Sequence, residues 1–193
     1  MRISFRTVLK GLVVLMVVTA IGVAWRFRPD EKGRIVPLGE RIDMTVLPEF
    51  IDALAKAKEM TVFEGLPHPH WEPDELQTER RSKKCVNLHG YLFYDDARVA
   101  AGEDFVSLQQ ALSLRGGIIE WGGHKLCGGY HPDYLIRWKA DDGTYDALVC
   151  FGCHEIKLFG PRDQLYADLL KPTYAQLEQS LSQFRKHRPQ VVH

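Results

Sequence analysis

Three of the four cysteines lie within one stretch of 27 residues, in Cys127-Gly-Gly-Tyr-His131-Pro-Asp133-Tyr134 and in Cys150-Phe-Gly-Cys153-His154-Glu155. Cys150, Cys153 and His154 have the C-x-x-C-H spacing of c-type haem attachment, in which two thiols add to the haem vinyl groups and the adjacent imidazole becomes an axial ligand. The same residues admit a tetrahedral zinc site, with Cys127, Cys150 and Cys153 joined by His131, His154 or Cys85. The second C-x-x-C of a zinc ribbon is absent, because Cys127 opens Cys-Gly-Gly-Tyr. Thioredoxin-like exchange needs a thiolate stabilised at a helix N-terminus. Here His154-Glu-Ile-Lys-Leu158 alternates like a strand and offers no helix dipole.

The simplest chemistry is a structural disulfide. Four cysteines allow three pairings among Cys85, Cys127, Cys150 and Cys153. Residues three apart on a strand point to opposite faces, so Cys150 and Cys153 can bond only if Gly152 bends the chain. Cys127 bonded to either of them would staple a Gly-rich loop to a hairpin, for about 2–4 kcal/mol. Structural cysteines with no cofactor are therefore the leading reading, with zinc and then c-type haem as alternatives.

Other polar clusters carry less. His68-Pro-His70 reads as a proline-fixed turn, and His131-Pro-Asp133 as a turn entering a strand, with Asp133 accepting from nearby backbone N–H groups. His89 reads as a satisfied core histidine on a strand. No Ser-His-Asp order, phosphate-cradling glycine loop or paired catalytic carboxylates stand out, so the reading leans away from an enzyme.

Periodicity supplies the elements that position these residues. Thr45 is expected to cap a helix over Leu47–Lys58, with Phe50, Ile51 and Leu54 as its apolar stripe. Met60–Glu64 reads as a strand and Asp74–Lys83 as a solvated helix. Val86–Tyr94 reads as one strand, with a bulge at Gly90. Glu103 and Asp104 suit the positive end of a helix that buries Phe105, Leu108 and Leu112 and stops at Gly116-Gly117. Ile118–Trp121 is a short strand. Tyr134–Ala140 and Thr144–Phe151 flank Asp141-Asp142-Gly143, a hairpin signal, and Glu155–Phe159 continues as strand. Lys171-Pro172 opens a last helix with Tyr174, Leu177, Leu181 and Phe184 on one face. The order αβαβαβββα implies an α+β domain with a mostly antiparallel sheet and flanking helices.

With 193 residues, 45% hydrophobic and 26% charged, the chain is long enough for one folded domain plus a short appendage. Its formal charge is zero, but Arg2, Arg6, Lys10, Arg26 and Arg28 all precede the first acidic residue. Residues 29–193 therefore carry a net −5, which argues against counterion-driven binding to nucleic acid. Val8–Trp25 is apolar apart from Lys10 and Thr19. It reads as an N-terminal transmembrane signal-anchor, with a cleaved signal peptide as the alternative that would leave a secreted or periplasmic body. Residues 1–28 are thus the membrane segment, 29–44 a tether, and 45–193 a single extracytoplasmic domain.

Glu64-Gly-Leu-Pro-His68, His89-Gly-Tyr-Leu-Phe-Tyr94, Cys127–Tyr134 and Leu148-Val-Cys-Phe-Gly-Cys-His-Glu155 together resemble an uncharacterised bacterial family of small exported or membrane-anchored proteins. The resemblance spans roughly residues 60–188, and its most specific part is a Cys-Phe-x-Cys-x-Glu block. It implies no fold, substrate or catalytic residue. It implies that the His154 position varies, which makes the haem spacing accidental. The expectation is a membrane-anchored extracytoplasmic module that works by binding or in envelope structure.

Overall fold

The computed structural model describes residues 36–37 and 39–188. The chain falls into two compact units, Met1–Glu40 and Arg41–His193. In the first, the described residues hold a turn in which Glu40 N–H donates to the Pro37 carbonyl. The expected membrane segment Val8–Trp25 lies outside the described residues. Among those described, no helix is long and apolar enough to cross a membrane.

The second unit is α+β with an antiparallel sheet, as the element order implies. A 3₁₀ turn, Met44–Val46, leads into α1 (Leu47–Ala55); β1 (Met60–Glu64) and α2 (Pro73–Ser82) follow. Next come β2 (Cys85–Leu88), β3 (Tyr91–Tyr94), β4 (Arg98–Ala100) and α3 (Glu103–Ser113). The chain closes with β5 (Ile118–Glu120), β6 (Tyr134–Ala140), β7 (Gly143–Cys150), β8 (Glu155–Phe159), β9 (Gln164–Leu169) and α4 (Lys171–Ser182). Seven strands form one sheet in the order β4-β1-β6-β7-β8-β9-β5, while β2 and β3 pair separately.

Strand alternation divides the sheet into two unlike faces. On one, Val62, Ile136, Ala147, Val149, Ile156, Leu158, Leu165 and Ala167 pack beneath α1, α3 and α4, which contribute Phe50, Leu54, Leu108, Leu112, Leu177 and Leu181. On the other, Leu135 and Leu148 meet Phe93 of β3, with Phe63, Tyr91, Tyr130 and Phe159 around them. α2 buries no residue, as its composition implies; Pro73 starts it, with Asp74 and Glu75 in its first turn and Arg80 and Arg81 in its last.

Several local expectations change. Thr45 does not cap; the Asp43 side chain accepts from Thr45 N–H and Oγ instead, and α1 ends at Ala55. Val86–Tyr94 is a hairpin rather than one bulged strand. His89 (φ 52°) and Gly90 (φ 83°) both take the left-handed conformation of a two-residue turn, and Leu88 pairs with Tyr91. β4 and β9 were not anticipated. In β9, Leu165, Ala167 and Leu169 face the helices while Tyr166 and Asp168 stand on the opposite face.

Candidate functional site

The cysteine region is built from two connections. The loop from Trp121 to Asp133 joins β5 to β6, and the turn Phe151–His154 joins β7 to β8. Cys127 in the first and Cys153 in the second form a disulfide, with Cα atoms 5.7 Å apart. Of the two pairings that would tie loop to hairpin, Cys127 with Cys150 or with Cys153, the structure has the second. Cys150 ends β7 as a buried free thiol, and Cys85 on β2 is free and half-buried. Burial pushes the Cys150 thiol up to about 11, which makes it a poor nucleophile.

The two candidate histidines go elsewhere. His154 occupies a left-handed position (φ 55°) and lies against Tyr174 of α4, ring centroids 4.1 Å apart. His131 lies against His68, centroids 4.8 Å apart. Burial holds the His131 imidazole down to about 4 and also lowers His68. The His68 Nδ1 accepts from the backbone N–H groups of His70 and Trp71, so its proton sits on Nε2. That atom is buried and completes no hydrogen bond, although the Gly129 backbone lies close enough to favour the charged ring. Asp133 accepts from Phe151 N–H, the backbone contact expected of it, and from Arg188, which also reaches Glu72.

Among the described residues, no group of three or more His, Cys, Asp and Glu side chains is arranged to hold a metal ion. A zinc site would need Cys127 and Cys153 as separate thiolates. Thioether attachment of haem would need Cys153 free and Cys150 accessible. The geometry meets neither condition.

The loop brings a denser polar cluster onto the sheet. Glu155 and Asp168 stand directly opposite on β8 and β9, a like-charge pairing that is unfavourable unless a cation intervenes. Lys125 supplies it: Nζ lies 2.8 Å from Asp168 Oδ1 and 3.4 Å from Glu155 Oε1, and also donates to the Cys153 carbonyl. Glu155, 2% exposed, further accepts from Trp121 Nε1 at 3.1 Å and from the Tyr166 hydroxyl at 2.7 Å. Two residues along β8, the buried Lys157 ammonium donates to the Tyr91 hydroxyl. It lies 5.4, 4.4 and 4.7 Å from the ring centres of Tyr91, Tyr130 and Tyr166. Such a desolvated cation–π cage is worth roughly 2 kcal/mol. At the loop's outer edge, the Trp71 indole donates to the Cys127 carbonyl, and Gly128 leaves room for it, since a Cβ there would come within 2.6 Å of Trp71 Nε1.

A second polar chain crosses the same sheet face. Arg137 on β6 stands opposite Asp146 on β7 and grips it bidentately, Nε to Oδ1 at 2.7 Å and Nη2 to Oδ2 at 2.8 Å. His89 Nε2 lies 2.7 Å from Asp146 Oδ2, and its ring stacks on Phe159 at 3.9 Å. His89 is therefore a turn residue held by a carboxylate, not a strand core histidine. None of these polar pairs was anticipated. Glu155-Ile-Lys157, with charges at i and i+2 between apolar residues, is the one sequence signal that could have shown them.

The fold and site together define an α+β domain, an antiparallel sheet backed by helices on one face and by a disulfide-stapled loop on part of the other. Comparison with family models, curated proteins and solved structures finds no match.

Proposed function

We propose that this protein is a membrane-anchored module working outside the cytoplasm, that it acts by binding or in envelope structure, and that its cysteines are structural. Val8–Trp25 is the signal-anchor in this reading, and the tether is the stretch from residue 29 to the start of the folded unit at Arg41. The observation that carries it is the Cys127–Cys153 pair. Such bonds persist in oxidising compartments and are rare where glutathione keeps thiols reduced. The inertness of Cys150 supports a structural rather than catalytic role for the cluster, since a redox or nucleophilic cysteine needs an accessible, lowered-pKa thiol.

The test combines cell fractionation with intact mass under non-reducing conditions. The expected product is membrane-associated, keeps residues 1–28, is lighter by two hydrogens than the reduced chain, and after denaturation alkylates at Cys85 and Cys150 alone. Recovery from the soluble cytosol with four alkylatable thiols would falsify the reading.

A further inference from the structure

The guanidinium of Arg137 offers a binding edge that no hydrogen bond among the described residues uses. Asp146 takes the side formed by Nε and one Nη2 proton, and the Phe63 ring lies 5.6 Å from the guanidinium carbon. Asp146 is itself held by His89. The group is thus fixed in orientation before any ligand arrives. A guanidinium has five N–H donors, and two are spent here. The remaining end, Nη1 with the second Nη2 proton, has the fork spacing that matches two oxygens of an oxyanion, and Nη1 has no hydrogen-bond partner among the described residues.

Arg137 lines an open cleft of about 540 Å³ between the α1–β1 connection and the end of β6. Lys56, Lys58 and Lys139 line it too, with Thr61 and Phe63 beside the guanidinium. Glu59 and Asp141 are its acidic members, so cations outnumber acids four to two. Asp146 balances Arg137, so the three lysines stand against Glu59 and Asp141 and leave the cleft a net charge of +1. The volume lies in the range of small-molecule sites and far exceeds that of a single oxyanion.

We propose that this cleft binds the phosphate group of a small organic solute, with the end-on edge of Arg137 holding two phosphate oxygens and Lys139, Lys56 and Lys58 supplying the remaining charge. Arg137 is here a binding residue, and Asp146 and His89 are the residues that position it. This deepens the reading of a binding module by naming a ligand class. It can fail separately, because export and disulfide status are read by fractionation and mass while affinity is read by titration.

The experiment titrates the full chain in detergent with inorganic phosphate and with glycerol 1-phosphate, at ionic strength matched by sodium chloride, using calorimetry. Saturable binding of both is expected, tighter for glycerol 1-phosphate. Lys139→Gln, an exposed change, should weaken binding at least fivefold with an unchanged melting temperature. Arg137→Lys keeps the charge but removes the fork, and should weaken it by more than tenfold. Because Arg137→Lys also disturbs the Asp146 pair, Lys58→Gln gives an independent second reading at the cleft rim. Heat that vanishes at matched ionic strength, or affinity unchanged in both Lys139→Gln and Lys58→Gln, would overturn the proposal.

Discussion

The two faces of the sheet solve the same packing problem by different means. Beneath α1, α3 and α4, buried side chains are almost all apolar and interlock, with Phe50 edge-on to Tyr145 and Tyr145 stacked on Trp138. The opposite face has thinner cover, a two-stranded hairpin and a glycine-rich loop, and buries Glu155, Lys157 and Asp146. Apolar burial is non-directional and tolerates repacking, whereas a buried charge is stable only while each partner stays in place. The polar face therefore needs its cover held in register, and the Cys127–Cys153 bond with the Lys125 contacts does that holding. The helix face gives stability through volume; the loop face gives it through connectivity.

The largest test strikes the helix face. Leu158→Ala removes a buried side chain from between sheet and helices and is predicted to cost about 2–5 kcal/mol, read as a lowered urea midpoint at unchanged slope. On the loop face, Cys127→Ala combined with Cys153→Ala opens a connection 26 residues apart in sequence. The predicted loss is about 3.5 kcal/mol. Dithiothreitol should bring the wild type down to the level of this variant and leave the Leu158→Ala deficit untouched. If the reductant changes nothing, loop closure is not what holds that face. Glu155→Ala removes the carboxylate that accepts from the buried Trp121 and Tyr166 side chains and is predicted to cost about 3 kcal/mol. Its effect should couple to loss of the disulfide by more than 0.5 kcal/mol in a double-mutant cycle, since Lys125 joins both. Strict additivity would show the staple and the network to be independent.

Acid should divide the faces further. His131 has a folded-state pKa near 4 against an ordinary value of 6.5. The unfolded chain then binds the proton more readily between those values, so stability is full above about pH 6.5, falls as pH drops through the window, and levels off below about 4. Between pH 6.5 and 5 the predicted loss is at most about 2 kcal/mol. His131→Phe should flatten that limb of the urea midpoint against pH, and a limb equally steep in the variant would assign it to other groups.

The helix face was the more legible in sequence for the same physical reason. Apolar periodicity reports burial directly, so α3 and α4 and strands β1, β5, β6, β7 and β8 were readable from spacing, and the Asp141-Asp142-Gly143 turn fixed the β6–β7 pairing. Composition and loop chemistry also showed that Cys127 could staple the glycine loop to the hairpin. Which thiol it takes depends on the turn at Phe151–His154, where a left-handed His154 breaks the strand pattern. The polar network was hidden because its members are distant in sequence: Trp121 and Glu155 are 34 residues apart, Lys125 and Asp168 are 43, and His89 and Asp146 are 57. Register alone brings them together. The hairpin β2–β3 was misread because His-Gly is a weaker turn signal than Asn-Gly, although both residues take positive φ.

The smallest effect separates buried charge from surface charge. Arg162 reaches Glu49 at 3.0 Å and Asp142 at 3.1 Å, linking α1 to the β6–β7 turn, with its side chain 63% exposed. Arg137 makes a bond of the same chemical kind to an Asp146 side chain only 5% exposed. Water and salt screen the first pair, and two long side chains lose freedom to form it. Arg162→Gln is therefore predicted to shift stability by less than about 0.5 kcal/mol, and less still in 1 M salt. A loss above about 1 kcal/mol in urea titrations would mean that this exposed pair fixes α1 against the hairpin. The helix face would then depend on a directional contact at its rim, and the contrast between the two faces would be one of degree rather than kind.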